Sequence, residues 1–154
     1  MGKFDVAVVM GSKSDMSVME QTARMLEEFG IKYRLMVLSA HRNPDKTAEF
    51  ARAARKQGIK VIIAGAGMSA HLPGAIAAVT TLPVIGVPLA RSPLSGLDSL
   101  HSIVQMPTGV PVGTMSIDSA GAKNAAIFAA QILSLTDKGL QRKLHSYKRK
   151  LANK

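Results

Sequence analysis

Residues 61–90 read VIIAGAGMSAHLPGAIAAVTTLPVIGVPLA, thirty positions without an Asp, Glu, Lys or Arg. A run that long raises the question of a membrane span, which needs about 20 consecutive apolar residues. Pro73, Pro83 and Pro88, with His71 and several glycines, argue against one continuous apolar helix. The stretch divides instead into a strand at Val61–Ala64, a Gly-rich loop, a short helix at Leu72–Thr80 and a strand at Val84–Val87, all buried. Strands that are apolar throughout belong to parallel sheets covered on both faces.

Working outward, short β-branched runs alternate with helical stretches, which implies βαβ units and a mainly parallel five-stranded sheet of an α/β protein. The other strands are expected at Phe4–Met10, Tyr33–Leu38 and Gly113–Ile117. A first helix follows Phe4–Met10, capped by Ser17 with Glu20 or one turn earlier by Ser14 or Asp15. A second runs from Asn43 to Gln57 and ends at Gly58, with Asn43 as N-cap and Pro44 in the first turn. Asp98–Val104 is a shorter helix, and Gly121–Leu135 a longer alanine-rich one that could pack against another subunit.

The chain has 154 residues and 47% hydrophobic content, enough for one domain with a real core over 1–154. Without cysteine there are no disulfides and no thiolate zinc site. Met1-Gly2-Lys3-Phe4-Asp5-Val6 lacks a signal-peptide pattern, and Val6 stands where a myristoylation signal would want Ser or Thr, so a cytoplasmic protein is expected.

The formal net charge of +10 invites a nucleic-acid reading, so its placement matters. Lys138, Arg142, Lys143, Lys148, Arg149, Lys150 and Lys154 fall in the last segment, where Leu140, Leu144, Tyr147 and Leu151 recur at helical spacing. Residues 138–154 therefore read as a basic amphipathic helix whose apolar stripe packs on its own subunit or a neighbour, with its lysines solvated. Four Phe, two Tyr and no Trp leave few stacking platforms, which disfavours a nucleic-acid partner.

In a doubly wound sheet, the loops at the carboxyl ends of the strands converge, so three of them can be read as one pocket. After the first strand, Gly11-Ser12-Lys13-Ser14-Asp15 offers hydroxyls and helix-leading amides to a phosphate, and Asp15 could accept from ribose hydroxyls. Ordinary turn and cap chemistry explains the same residues. After the second comes Ser39-Ala40-His41-Arg42-Asn43-Pro44, with an imidazole and a guanidinium side by side. Histidine changes charge near neutrality and can shuttle a proton, although a solvated loop histidine is the plain alternative. After the third comes Gly65-Ala66-Gly67-Met68-Ser69-Ala70-His71-Leu72-Pro73-Gly74, whose glycines let backbone approach a flat ligand. Gly65, Gly67 and Ala70 match G-x-G-x-x-A, but no acidic ribose partner lies about 20 residues on, and a dinucleotide is discounted.

Together with Pro83-Val84-Ile85-Gly86-Val87-Pro88 and Asp98-Ser99-Leu100 running into Ser102-Ile103-Val104-Gln105-Met106-Pro107, these loops resemble the catalytic-subunit family of phosphoribosylaminoimidazole carboxylase, in its bacterial form. The resemblance covers nearly the whole chain. It implies a flavodoxin-like three-layer sandwich assembling into octamers. It implies that His41 is the catalytic acid and base, that Ser12, Ser14, Asp15 and Arg42 hold the ribose phosphate, and that Ser39, Gly67, His71 and Leu72 line the base and carboxylate end. The reaction implied moves a carboxylate from the exocyclic nitrogen of an aminoimidazole ribonucleotide to its ring carbon, a step of purine biosynthesis, with no metal, nucleotide triphosphate or organic cofactor.

The residues suit such chemistry. His41 can protonate the departing nitrogen and then remove the ring-carbon proton, and the small apolar residues from Gly65 to Leu72 can cage carbon dioxide. The animal-type branch, which carboxylates the aminoimidazole directly, has a different third loop without the counterpart of His71, which favours the isomerase. Direct carboxylation remains the enzymatic alternative and a ribonucleotide-binding sensor the non-enzymatic one. Two features depart from the family's pattern. Asn43 replaces a threonine, a near-silent change if both cap the helix. Met68-Ser69 replaces a glycine and a second small residue. If that position needs positive φ, Met68 is strained; if not, it points away or packs a lid.

Overall fold

The computed structural model describes residues 3–153; Met1, Gly2 and Lys154 lie outside them. Among the described residues the strands are β1 (Val6–Met10), β2 (Tyr33–Val37), β3 (Val61–Gly67), β4 (Val84–Leu89) and β5 (Gly113–Thr114). The helices are α1 (Met16–Phe29), α2 (Pro44–Ala53), α3 (Leu72–Ala77), α4 (Leu97–Val104), α5 (Asp118–Ser134) and α6 (Lys138–Ala152). The sheet is parallel throughout, in the order β2-β1-β3-β4-β5. That is the flavodoxin-like order, with its switch point between β1 and β3.

Alternation along the strands sorts the core into two layers. Val6, Val8 and Met10 of β1, with Val61, Ile63, Ile85, Val87 and Leu89, face α1, α5 and α6. Ala7 and Val9, with Ile62, Ala64, Ala66 and Val84, face α2, α3 and α4. All five residues of β1 are fully buried, as a strand covered on both faces requires. At the edge, β2 leaves Arg34 and Val37 exposed.

The expected elements are all present, with shifted ends. β1 starts two residues late because Asp5 turns aside, its carboxylate paired with Lys60 at 2.9 Å and its amide donating to the Lys32 carbonyl. β3 runs three residues past Ala64, since Gly65, Ala66 and Gly67 pair in register with Val87, Pro88 and Leu89. β5 keeps only two residues, beside Ile85 and Gly86. α2 stops at Ala53, and the chain continues in turns to Gly58, which takes φ +88°. Neither Ser17 nor Ser14 caps the first helix; Asp15 holds the N-cap position of α1, but its side chain makes no cap bond there. Ser12 caps a single 3-10 turn, Lys13–Asp15, in a reciprocal box with Asp15, and α1 follows directly.

The alanine face of α5 turns inward, onto its own chain. Ala122, Ala125, Ala126, Ala129 and Ala130 are fully buried, and the Thr22 hydroxyl of α1 donates to the Ala122 carbonyl at 2.8 Å. Most of the apolar stripe of α6 packs on its own chain, with Leu140 buried, Leu144 against the core and the Tyr147 ring edge-on to Phe29 at 5.5 Å, while Leu151 stays exposed. Lys143 donates to the Phe29 carbonyl at 2.7 Å, satisfying an end group of α1. No helix among the described residues is long and apolar enough to cross a membrane.

Candidate functional site

All nine residues singled out from the sequence line one cleft of about 400 Å³ at the carboxyl ends of the strands, beside the switch point. Its size falls within the range of small-molecule sites. The first loop builds one wall. Ser12 accepts from the Ser14 amide (3.3 Å) and hydroxyl (2.9 Å), and its own amide donates to Asp15 Oδ2 at 3.1 Å. Asp15 is only 5% exposed, so its carboxylate braces the loop from beneath.

The second loop is fixed by Ser39 and Asn43. The Ser39 amide donates to Asn43 Oδ1 at 2.7 Å, and the Ser39 hydroxyl accepts from the Arg42 amide at 3.2 Å and from Arg42 Nε at 3.4 Å. Asn43 therefore does not cap α2 with its side chain, as its type led one to expect; that oxygen holds the loop carrying His41. Arg42 Nη2 reaches across to the Gly11 carbonyl and ties this loop to the first.

The third loop brings a second histidine against the first. His41 Nε2 and His71 Nδ1 are 2.7 Å apart, with the rings nearly perpendicular at 89°. Such a contact needs a proton on one nitrogen and none on the other, so each ring orients the other. Both rings are solvent-accessible, whereas Leu72 beneath them is only 2% exposed. Met68 takes φ +55°, the left-handed region, with its side chain exposed along the cleft. The position does adopt positive φ, and methionine there is strained.

Residues 5–154 match the AIR carboxylase family. The chain belongs to the AIR carboxylase family. It is 55% identical over 148 residues to the N5-carboxyaminoimidazole ribonucleotide mutase of Haemophilus influenzae, covering 96% of this chain and 90% of that protein. To the enzyme of the same name from Thermotoga maritima it is 56% identical over 146 residues, 95% of this chain and 84% of the relative. The crystal structure of Treponema denticola PurE superposes with a TM-score of 0.86 at 30% identity, over 96% of this chain and 91% of that one.

This AIR carboxylase family member also carries a site residue that the sequence reading missed. Arg91, just past β4, lines the cleft, donates from Nε to Asp15 Oδ1 at 3.2 Å and from Nη2 to the Ser14 carbonyl at 3.0 Å. Gly67 makes room for it: a Cβ there would lie 2.7 Å from Arg91 Cβ and 3.1 Å from the Leu89 carbonyl oxygen. Burial lifts the Asp15 carboxyl above its ordinary value, and the Arg91 charge and hydrogen bond pull it part of the way back, helped by the Ser12 amide and Arg42. Two guanidiniums, Arg42 and Arg91, against the one carboxylate of Asp15 leave the lining with an excess of positive charge, a setting for a phosphate. Among the described residues no three His, Asp or Glu side chains cluster as a metal-ligand set.

Proposed function

We propose that this chain is an isomerase of purine biosynthesis, converting N5-carboxyaminoimidazole ribonucleotide to 4-carboxy-5-aminoimidazole ribonucleotide, as a single catalytic domain in a cytoplasmic homo-octamer. The observation that carries the reading is the His41–His71 contact at 2.7 Å, set in a cleft that also presents Ser12, Ser14 and Arg42. One end of the cleft suits a sugar phosphate and the other a proton-transfer reaction on a flat ring. The names of the relatives point to the same reaction.

In this reading Ser12, Ser14 and Arg42 hold the phosphate, and Asp15 serves the ribose end while bracing the loop. Arg91 adds a second guanidinium. Ser39, Gly67, His71 and Leu72 line the base and carboxylate end. His41 gives its proton to the exocyclic nitrogen as the carbamate N–C bond breaks, and the bonding pair stays on nitrogen. Carbon dioxide is then attacked by the electron-rich ring carbon, and the proton on that carbon passes to His41, restoring it. The net change is a moved carboxylate, balanced without an external oxidant, reductant or nucleotide triphosphate. General acid and base work of this kind contributes about 10²- to 10⁴-fold. Holding carbon dioxide beside the nucleophile can contribute roughly 7–11 kcal/mol at best.

The test is rapid incubation of the labile carbamate with purified protein, following appearance of the carbon-carboxylated isomer. Consumption of aminoimidazole ribonucleotide only with added bicarbonate, with the carbamate ignored, would mark a direct carboxylase instead. Nucleotide binding without turnover would mark a sensor.

A further inference from the structure

Met68 is unfavourably placed by two local criteria. Its φ of 55° crowds a Cβ against the backbone, at about 1–2 kcal/mol. Its side chain is 58% exposed and recovers little by burial. It stands on the turn between Gly67, which ends β3, and His71, whose amide donates to the Ser69 carbonyl at 2.8 Å. Backbone strain held at the wall of a binding cleft is an outlier from which a function is inferred.

The chemistry in the cleft says what a methionine would do there. Carbon dioxide has no net dipole, no proton to donate and only weakly accepting oxygens, so its retention depends chiefly on excluding water and on dispersion contact. Around Met68 the lining is small, with Ala66, Gly67 and Ser69, and Leu72 is locked in the core. Met68 is thus the one exposed long apolar side chain of the lining among the described residues. Its three torsions and polarisable sulfur let it settle over an irregular ligand surface.

We propose that Met68 folds over the loaded cleft as an apolar cover that the glycine of the family's pattern does not supply, and so shifts carbon dioxide freed from the carbamate towards capture by the ring carbon and away from escape. The inference rests on the isomerase reading above. On escape the carbon dioxide hydrates to bicarbonate in solution. The aminoimidazole ribonucleotide left behind keeps the proton His41 gave to its nitrogen, and water reprotonates the histidine. Met68 is a covering residue and takes no part in proton transfer.

The experiment supplies substrate labelled with ¹³C in the carbamate to the full-length protein in unlabelled bicarbonate buffer. It measures how the label divides between the carbon-carboxylated product and the bicarbonate pool, together with free aminoimidazole ribonucleotide. Wild type should keep most of the label in product. Met68→Gly, which suits the left-handed backbone, and Met68→Ala should each raise escape relative to capture by roughly tenfold, the change that goes with about 1.4 kcal/mol of barrier. Met68→Leu, apolar and of similar volume, should restore retention. If both small variants turn over with the wild-type division of label, the cover assignment is overturned. If wild type itself makes no isomer, the isomerase reading falls and the cover falls with it.

Discussion

Replacing Arg91 with Met tests the electrostatic floor of the cleft. The substitution keeps most of the side chain's apolar length and removes the guanidinium that donates to Asp15 Oδ1 and to the Ser14 carbonyl. A hydrogen bond to a charged group contributes about 1.5–3 kcal/mol. The Arg91 side chain is 31% exposed, so solvent screening places the loss at the lower end, about 1.5 kcal/mol at neutral pH. For a chain of this size that lowers Tm by roughly 3–6 °C. The pH dependence is the sharper test. Burial already lifts Asp15 above its ordinary 3.8, and Arg91 is the strongest group pulling it back, so the variant's carboxyl rises further. A carboxyl raised by folding contributes stability that is complete below 3.8 and lost as pH climbs through the folded-state value. The deficit of Arg91→Met relative to wild type should therefore be smallest below pH 3.8, grow as pH rises and level off once the variant's Asp15 is ionised. Urea unfolding across pH 3.5–8 measures it, and in an Asp15→Asn background the Arg91 substitution should lose most of its effect. An equal deficit at both ends of that range, with additive double-mutant energies, would refute the argument.

Three other substitutions probe the remaining walls. His41→Asn should lower turnover by at least about 10²-fold while nucleotide affinity, read by calorimetry, stays within a few-fold; near-normal turnover would remove His41 from proton transfer. Arg42→Ala should raise KM more than it lowers kcat if, as proposed above, the guanidinium serves capture of the phosphate, and an unchanged KM would dispose of that role. Gly67→Ala drives a Cβ against Arg91 and the Leu89 carbonyl, an overpacking worth about 1–3 kcal/mol; a variant as stable as wild type in urea would show that Arg91 shifts aside freely.

The sheet was legible because its strands announce themselves as apolar runs, and the helices because their turns carry Gly, Pro and small polar residues. Strand ends were harder to place. Gly65–Gly67 have little strand preference of their own, and only pairing with β4 draws them into the sheet. Ser12 escaped notice as a cap because its partner is Asp15 three residues on, where a glutamate is the usual sign, and the turn it caps is 3-10. Asn43 fits a helix cap equally well by type, and nothing local reveals that its oxygen goes to the Ser39 amide instead. Arg91 did leave a signal. It is the first charged residue after thirty uncharged positions, just past the carboxyl end of a strand, and the rule that marked the first three loops applies equally to the fourth.

What the separate loops could not reveal is how they are joined, and the joints explain why the cleft can be preformed. Arg42 binds the second loop to the first through Gly11, Arg91 binds the fourth to the first through Ser14 and Asp15, and the histidine pair binds the second to the third. Each joint links segments far apart in sequence, so none is fixed by local preference and all depend on the sheet for spacing. In the proposed function, two of them use guanidiniums that the substrate's phosphate would also engage. Phosphate binding must then add to these bonds or exchange with some of them. It follows that substrate capture and loop order are coupled. A phosphate-bearing ligand should protect the amides of Ser12–Asp15 and Ser39–Arg42 from hydrogen exchange together, and protection confined to one loop would mean that the joints do not carry the coupling.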